Sequence, residues 1–200
     1  MEAQDKKSRL KEEIRASILD AAFTLAKENG WEAVSMRKIA TMIAHTAPVI
    51  YDYFQNKEAI MRELARAGFR LLATATTAAQ QEQEQPEQQL QAMWMAYLHF
   101  AQTEKEYYQL MFGMGIPLSA DNNSSPEIDI FAGLVQDVIR QTANGELLSV
   151  EEVARRYFLQ WSVVHGLIGL GRIYKDNTDA FNERVVLDML RQTAIVASAA

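Results

Sequence analysis

The chain of 200 residues has no cysteine and no long apolar run. Without cysteine it can form no disulfide, no thiolate metal site and no cysteine nucleophile. No apolar stretch approaches the roughly 20 residues that span a bilayer. The first residues are polar and lack the apolar core of a secretory signal. These absences lead us to expect a cytoplasmic protein.

The groupings that common catalytic and metal sites need are also scarce. The three histidines, His45, His99 and His165, lie far apart in sequence. No Gly-rich phosphate loop, Gly-x-Ser-x-Gly elbow or His-Glu-x-x-His motif occurs. We therefore expect no catalytic residue, no metal and no cofactor, although scattered residues can converge in space and an enzyme stays open as an alternative.

Charge is distributed unevenly. The net charge is -6, but the first 70 residues hold 12 of the 20 Lys and Arg and 10 of the 26 Asp and Glu, which gives +2 there and -8 in the remainder. Nucleic-acid binding needs cations near phosphates, so only the first third of the chain is suited to face DNA. Solvation explains such a charged segment equally well. The basic residues concentrate at Lys6, Lys7, Arg9, Lys11 and Arg15, and at Arg37 and Lys38.

Apolar residues recur at helical spacing and strand-like alternation is nearly absent, so we predict an all-α protein of about nine helices. Four of these form a bundle at the front. Their expected limits and caps are a helix from about Arg9 to Asn29 stopped by Gly30, short helices capped by Ser35 and by Thr46, and a long helix from Lys57 to about Thr77 capped by Asn56.

A polar, glutamine-rich segment at residues 78–89 is expected to end the fourth helix and form a loop at Pro86. Five further helices follow. They are a fifth through Leu90 and Ala101, a sixth from Lys105 to Phe112, a seventh between Ser125-Pro126 and Asn144-Gly145 after a loop at 113–124, an eighth from a Ser149/Glu152 capping box to about Tyr174, and a ninth from Asp179.

Two short helices joined by a tight turn fit the geometry of a helix-turn-helix. In that motif the second helix enters the major groove of DNA while the first crosses the backbone. An ordinary helical hairpin has the same spacing and is common. Spacing alone therefore leaves both interpretations open.

Particular residues carry a closer resemblance. The runs Ile18–Ala22, Gly30-Trp31, Ser35–Ala40 and Ile50–Ile60, with Leu25, resemble the DNA-binding domain of the TetR family. The stretch Trp161-x-x-x-His165-Gly166 is similar to one in the C-terminal domains of a branch of that family. The resemblance implies a homodimeric transcriptional repressor that binds a palindromic DNA operator and is released by a small-molecule effector. Its helix-turn-helix domain would be 1–56 and its ligand-binding and dimerisation domain 57–200, connected by helix 57–77.

The turn of the motif departs from the family's commonest pattern, Ala-Gly-Val-Ser. Ile43 and Ala44 stand where Ala-Gly is usual, so the turn must form without its glycine. Thr46 keeps a capping hydroxyl, and Pro48 is compatible with the first turn of a helix.

The resemblance also indicates which side chains contact DNA. Phosphates are expected to bind Ser35, Arg37, Thr46, Tyr51, Tyr53 and Lys57. Bases are expected to contact His45, Ala47, Pro48 and Val49, with Arg9 of an N-terminal arm in a minor groove. Packing between helices is the alternative for both tyrosines.

Large, adaptable or aromatic residues are frequent between residues 90 and 175, and such residues suit a pocket for an apolar or aromatic ligand. Taken singly, each is explained as well by a plain core, and His165 is either a ligand contact or a packing residue. The expected ligand-binding residues are Met93, Trp94, Tyr97, Tyr108, Met111, Phe112, Phe131, Trp161 and His165.

The last two helices are apolar on more than one side, as helices covered on both sides are. The resemblance implies that they pair with those of a second copy, and a helix buried inside one chain is the alternative. The expected interface residues are Phe158, Gly166, Gly169, Val186 and Leu190. A second functional interpretation is a helical adaptor or ligand-binding protein that has lost DNA binding, since positions 46–49 and 52 carry no Arg, Asn or Gln to read bases.

Overall fold

The computed structural model describes residues 2–113, 126–143, 147–171, 173 and 178–195. These residues form nine α-helices, a 3-10 helix at Trp31–Ala33 and no strand, which confirms the predicted all-α class. The helices are α1 Glu2–Asn29, α2 Met36–Met42, α3 Ala47–Tyr51, α4 Lys57–Gln81, α5 Pro86–Thr103, α6 Lys105–Phe112, α7 Pro126–Gln141, α8 Val150–Gly171 and α9 Asp179–Ile195. Of these described helices, none combines the length and apolarity that crossing a membrane requires.

The chain divides into two compact units. Unit 1 comprises Met1–Gly68 with Glu106–Asn123, and unit 2 comprises Phe69–Lys105 with Ser124–Ala200. Helix α4 contributes residues to both units. The functional division at residue 56 stays a prediction.

Unit 1 is built on a core to which α1 to α4 and α6 contribute. Trp31 is buried, and its indole nitrogen donates to the carbonyl oxygen of Glu106 at 3.1 Å. The ring of Phe23 stacks on that of Tyr107 with centroids 4.2 Å apart. Burial of this apolar set supplies most of the free energy that holds the short helices in place. The fully buried members are Ile18, Ala22, Ile39, Ile50, Ile60 and Ala65.

Several predicted helix ends are confirmed. Helix α1 stops at Gly30, whose φ of 78° suits a residue without Cβ. The Ser35 hydroxyl accepts from the Lys38 N–H at 3.3 Å, and the Asn56 side-chain oxygen accepts from the Ala59 N–H at 2.8 Å. These caps satisfy donors that the first turn of a helix leaves without partners.

Other predicted limits were wrong. Helix α1 begins at Glu2 instead of Arg9, because Lys and Glu are good helix formers and extend it. The glutamine-rich segment 78–89 does hold the end of α4 and a short loop at 82–85, but α4 runs past Thr77 to Gln81 and α5 already starts at Pro86. Helix α8 ends at Gly171, and its expected end near Tyr174 lies outside the described residues.

The later helices otherwise agree with the prediction. Helices α6, α7 and α9 start at Lys105, Pro126 and Asp179 as expected. The Ser149 hydroxyl accepts from the Glu152 N–H at 3.1 Å, which is half of the predicted capping box. The expected end at Asn144-Gly145 lies outside the described residues, as does all of the expected loop 113–124 except Gly113.

Unit 2 has its own core, in which α5, α7, α8 and α9 pack together. Aromatic and β-branched side chains fill it at helical spacing on each helix. Its buried members include Trp94 and Tyr97 of α5, Phe131, Val135 and Val138 of α7, Val153 and Val164 of α8, and Val186 of α9.

Candidate nucleic-acid interface

Helices α2 and α3 pack against each other. Their outer face is defined here by the exposed residues Arg37, Lys38 and Tyr51. Ile39 of α2 and Ile50 of α3 are fully buried and fix the two helices to the core of unit 1. On the opposite side Arg37 and Lys38 of α2 and Tyr51 of α3 are exposed. Buried anchors beneath exposed polar side chains, basic on α2 and a tyrosine on α3, fit the arrangement of a helix-turn-helix.

The turn between the two helices forms without glycine. Ala44 has a φ of 56°, and it is the one non-glycine residue with positive φ in the described part of the chain. The Ala44 N–H donates to the Thr41 carbonyl at 3.2 Å, and the His45 N–H donates to the Ala40 carbonyl at 2.8 Å. This is the Schellman pattern of helix termination, in which the left-handed position is usually glycine. Ala44 therefore holds a strained conformation that costs about 1–2 kcal/mol.

Thr46 occupies the position before α3 in extended conformation, as predicted, but its hydroxyl accepts no hydrogen bond from that helix. The predicted side-chain cap is therefore wrong. Pro48 lies in the first turn of α3, as expected. Both Thr46 and Pro48 are exposed, so their side chains are accessible to a partner.

The structure separates the two tyrosines. Tyr51 is 54% exposed on the outer face of α3. Tyr53 is half-buried and packs against the core of unit 1. This favours the alternative of helix packing for Tyr53, whose phosphate contact stays a prediction, whereas Tyr51 has an exposed side chain available for hydrogen bonding.

Lys57 has an intramolecular partner that the sequence did not indicate. Its Nζ donates to the carbonyl oxygen of Trp31 at 2.8 Å, and the side chain is half-buried. An ammonium has three N–H donors, so the contact leaves two of them for another acceptor. Its observed role is to tie the start of α4 to the 3-10 helix.

The remaining predicted contacts are distributed as follows. His45 is exposed, and Ala47 and Val49 are half-buried on α3. Ser35 is half-buried and already used as a cap. Arg9 lies inside α1, so the N-terminal arm expected to carry it is helical, and its minor-groove contact stays a prediction.

An exposed cation of α2 was left out of the predicted DNA contacts. Lys38 is exposed beside Arg37 at the start of α2, although only Arg37 was assigned to DNA. The two adjacent cations at Arg37-Lys38 were the sequence signal from which a DNA contact of Lys38 could have been predicted. Asp52 is also exposed at the end of α3 and opposes phosphate binding at that point.

A hydrogen-bonded aromatic network joins α5 and α8 in unit 2. The Trp161 indole donates to the Tyr97 hydroxyl at 3.0 Å, and that hydroxyl lies 3.2 Å from Nδ1 of His165. The hydroxyl oxygen accepts from Trp161, and the His165 tautomer sets which of the two groups donates in the Tyr97–His165 hydrogen bond. The Trp94 indole donates to Oε1 of Gln160 at 2.9 Å.

Six of the nine expected ligand residues lie in this part of unit 2. Phe131 stacks on Tyr97 with centroids 5.7 Å apart and meets Trp94 edge-on at 6.3 Å. Met93 is buried beside them on α5, and Trp161 and His165 complete the set. Tyr108, Met111 and Phe112 lie on α6, in unit 1.

Two ionisable groups near the network have shifted pKa values. Hydrogen bonds from Arg155 and Arg156 lower the pKa of Glu152 to about 2. The distances to its carboxylate are 2.7 and 2.8 Å from Arg155 and 2.7 Å from Arg156. Burial, with the negative charge of Asp129, raises the pKa of the Tyr157 phenol far above its ordinary value. Tyr157 is therefore a neutral hydroxyl at neutral pH.

Helix α8 also has an exposed apolar face. Phe158 is 57% exposed, and Leu159 and Leu170 are exposed along the same helix. A Cβ added at Gly166 or Gly169 would meet nothing within 4 Å. This face is accessible to a second copy of the chain.

The two expected interface residues of α9 differ from those of α8. Val186 is fully buried inside unit 2, so it has no surface with which to contact another chain. Leu190 is half-buried. Among the described residues, no group of three or more His, Cys, Asp or Glu side chains is placed to hold a metal ion.

Comparison with known families gives two matches. Residues 18–64 match the model of bacterial regulatory proteins of the tetR family, and residues 90–188 match the tetracyclin repressor-like C-terminal domain. No curated protein sequence matches the chain.

Solved structures similar to this one include PfmR, RolR and FadR. PfmR, a TetR family transcriptional regulator from Thermus thermophilus, is 20% identical with a TM-score of 0.65, covering 87% of this chain and 97% of PfmR. RolR, solved in complex with resorcinol, is 15% identical with a TM-score of 0.68, covering 96% and 97%. FadR, a fatty acid degradation regulator from Bacillus halodurans, is 14% identical with a TM-score of 0.63, covering 90% and 94%. At these identities the likeness shows a shared fold.

Proposed function

This chain belongs to the TetR family of bacterial regulatory proteins, and from that premise we propose that it is a transcriptional repressor that a small apolar or aromatic ligand releases from a palindromic operator. Members of the family bind DNA through the helix-turn-helix and are generally not enzymes, so we propose no catalysis. Such a repressor acts in the cytoplasm, where bacterial DNA is found.

The observation that carries the proposal is the outer face of α2 and α3. Arg37, Lys38 and Tyr51 are exposed together on helices anchored by Ile39 and Ile50. Cations and a hydroxyl on such a face supply the phosphate contacts that position a recognition helix. Pro48 and the half-buried Ala47 and Val49 offer apolar surface for thymine methyl groups.

The aromatic network of unit 2 supports a ligand-binding role. Trp94, Tyr97 and Phe131 provide stacking surface, while Tyr97 and His165 provide polar groups that can exchange hydrogen bonds with a ligand hydroxyl. RolR, which shares the fold, was solved with the phenolic ligand resorcinol. We propose a ligand that inserts between these rings and replaces part of the network.

A dimer would form through the exposed face of α8. Phe158, Leu159 and Leu170 are exposed apolar residues, and Gly166 and Gly169 allow close approach of a second helix. Leu190 of α9 extends the proposed interface, and the buried Val186 is left out. Two-fold symmetry of such a dimer matches the symmetry of a palindromic operator.

Release by ligand follows from linkage. Consider a ligand that binds more tightly to a dimer whose recognition helices are wrongly spaced for DNA. Such a ligand must lower DNA affinity by the difference between its own affinities for the two states of the dimer. Helix α4 is the proposed lever, because this single helix contributes to both units. A ligand that binds tightly without changing operator affinity would contradict this mechanism.

Specific observations also favour a second function, that of a ligand-binding adaptor without DNA binding. Asp52 places a negative charge on α3, and Lys57 is partly used inside unit 1. Positions 46–49 carry no Arg, Asn or Gln for base reading.

Selection of bound duplexes from a random DNA library distinguishes the two functions. The repressor proposal predicts enrichment of a two-fold symmetric sequence, followed by its release on addition of phenolic or other aromatic ligands. Enrichment of no sequence, with weak binding of all duplexes alike, would favour the adaptor.

A further inference from the structure

Unit 2 has a groove among α4, α5 and α9 that the proposed function does not use. Its volume is about 450 Å³. On α5, Ala92, Ala96 and His99 line it at helical spacing, on the side opposite Trp94. Its lining is mostly small or apolar, contributed by Ala79, Ala92, Met95, Ala96 and Leu98.

The α9 side of the groove carries an unsatisfied hydrogen-bond acceptor. Asn182 is only 6% exposed, and its Oδ1 is buried with no hydrogen-bond partner among the described residues. Asp179 lies one turn earlier on the same helix and lines the same groove. A buried acceptor without a donor destabilises the fold, so a donor that reaches Asn182 Oδ1 recovers free energy.

The charge of the groove selects the kind of donor. Among the described residues, those that line it include the carboxylate of Asp179 and neither Lys nor Arg. An adjacent depression of about 320 Å³ shares Ala96 and His99 with it, and its described lining includes Glu104 and again neither Lys nor Arg. The Gln102 side-chain nitrogen donates to Asp179 Oδ1 at 3.0 Å, which holds the carboxylate in place at the end of the groove.

We propose that this groove binds a primary ammonium compound with an apolar body. The ammonium donates to the Asp179 carboxylate and, once the Asn182 side chain turns toward the groove, to its Oδ1, since an ammonium has three donors and no acceptor. The apolar body lies on the alanines of α4 and α5. This site is separate from the aromatic network on the other side of α5 and does not require DNA binding.

The test is direct binding by titration calorimetry on the full chain without DNA. The probes are 2-phenylethylamine, its neutral analogue 2-phenylethanol and the anion 3-phenylpropionate. We expect the amine to bind one equivalent, the alcohol to bind at least about tenfold more weakly, and the anion not to bind, because a charge-assisted hydrogen bond is worth about that ratio.

Variants identify the groove as the place of binding. Asn182→Leu removes the acceptor at nearly constant size, and Asp179→Asn removes the charge. Each should weaken the amine about tenfold, and Asp188→Asn, an exposed acid of α9 paired with Arg191, should leave it unchanged. Circular dichroism establishes that each variant is folded.

Three results would overturn the proposal. They are absence of amine binding, equal affinity for amine and alcohol, and amine affinity that neither Asn182→Leu nor Asp179→Asn changes. Failure of operator binding leaves these outcomes untouched, so the two proposals fail independently.

Discussion

On the outer face of α2 and α3, Arg37, Lys38 and Tyr51 are exposed, whereas Trp94 and Tyr97 of unit 2 are fully buried. The first set is available to a partner as it stands. The side chains of the second set are already in contact with partners, through hydrogen bonds and ring contacts within α5 and between α5 and α8. A DNA-binding face can therefore be preformed, while a ligand pocket in unit 2 has to displace contacts that stabilise the fold.

The largest expected effect contrasts two aromatic residues. Trp94→Ala should lower the free energy of unfolding by about 3–5 kcal/mol, since it removes a fully buried ring and leaves a cavity. Tyr51→Ala should change it by no more than about 0.5 kcal/mol, because that side chain is exposed. Urea unfolding followed by circular dichroism measures both. Equal losses of unfolding free energy in the two variants would show that Trp94 and Tyr51 do not differ in burial.

The next largest effect concerns the buried guanidinium of Arg156, which is paired with Glu152. Glu152→Gln should lower the free energy of unfolding by about 3 kcal/mol, because it leaves the Arg156 guanidinium buried without its carboxylate. The matched control Arg155→Gln removes an exposed partner of the same carboxylate and should lower the free energy of unfolding much less, because solvent screens an exposed ion pair.

The ionised Glu152 carboxylate also predicts how the free energy of unfolding depends on pH. The pKa of Glu152 is lowered to about 2 from 4.5, so the stabilisation that its ionised form provides is complete above pH 4.5 and is lost as the pH falls towards 2. Urea unfolding of the wild-type chain should show this loss, and Glu152→Gln should lack it. A variant that loses as much stability as the wild type over this pH range would contradict the assignment.

A smaller effect tests the turn of the DNA-binding face. Ala44→Gly should raise the free energy of unfolding by about 1 kcal/mol, because glycine adopts a φ of 56° without steric cost. Ala16→Gly on the exposed side of α1 should lower it by about the same amount, since glycine weakens a helix interior. Thermal unfolding resolves both signs. A loss at position 44 would mean that the turn is not strained.

The parts of the fold that were predictable depend on interactions between near neighbours. Gly30, Ser35 and Asn56 end or cap helices through groups no more than four residues away, so the sequence pattern was sufficient. The glycine-free turn at Ala44 was also expected on local grounds. The start of α1 was missed because a polar helical segment at a terminus resembles a solvated tail.

The parts that were not predictable depend on distant partners. Lys57 bonds to a carbonyl 26 positions away, and Trp161 bonds to a hydroxyl 64 positions away. Spacing along one helix cannot show which of two apolar sides faces its own chain, so Val186 was placed in an interface although it is buried. Tyr51 and Tyr53 differ in the same way, since both suit a helix surface until the core beneath them is known.

The central claim is that the outer face of α2 and α3 binds duplex DNA. The direct measurement is a titration of the selected duplex at several salt concentrations with wild type, with Tyr51→Phe combined with Arg37→Ala, and with Tyr53→Phe as the matched control. We predict about tenfold or greater loss of affinity and a shallower salt dependence for the double variant, because it removes a hydroxyl and a cation from the phosphates, with the control close to wild type. Equal affinity and salt dependence for all three proteins would contradict the claim.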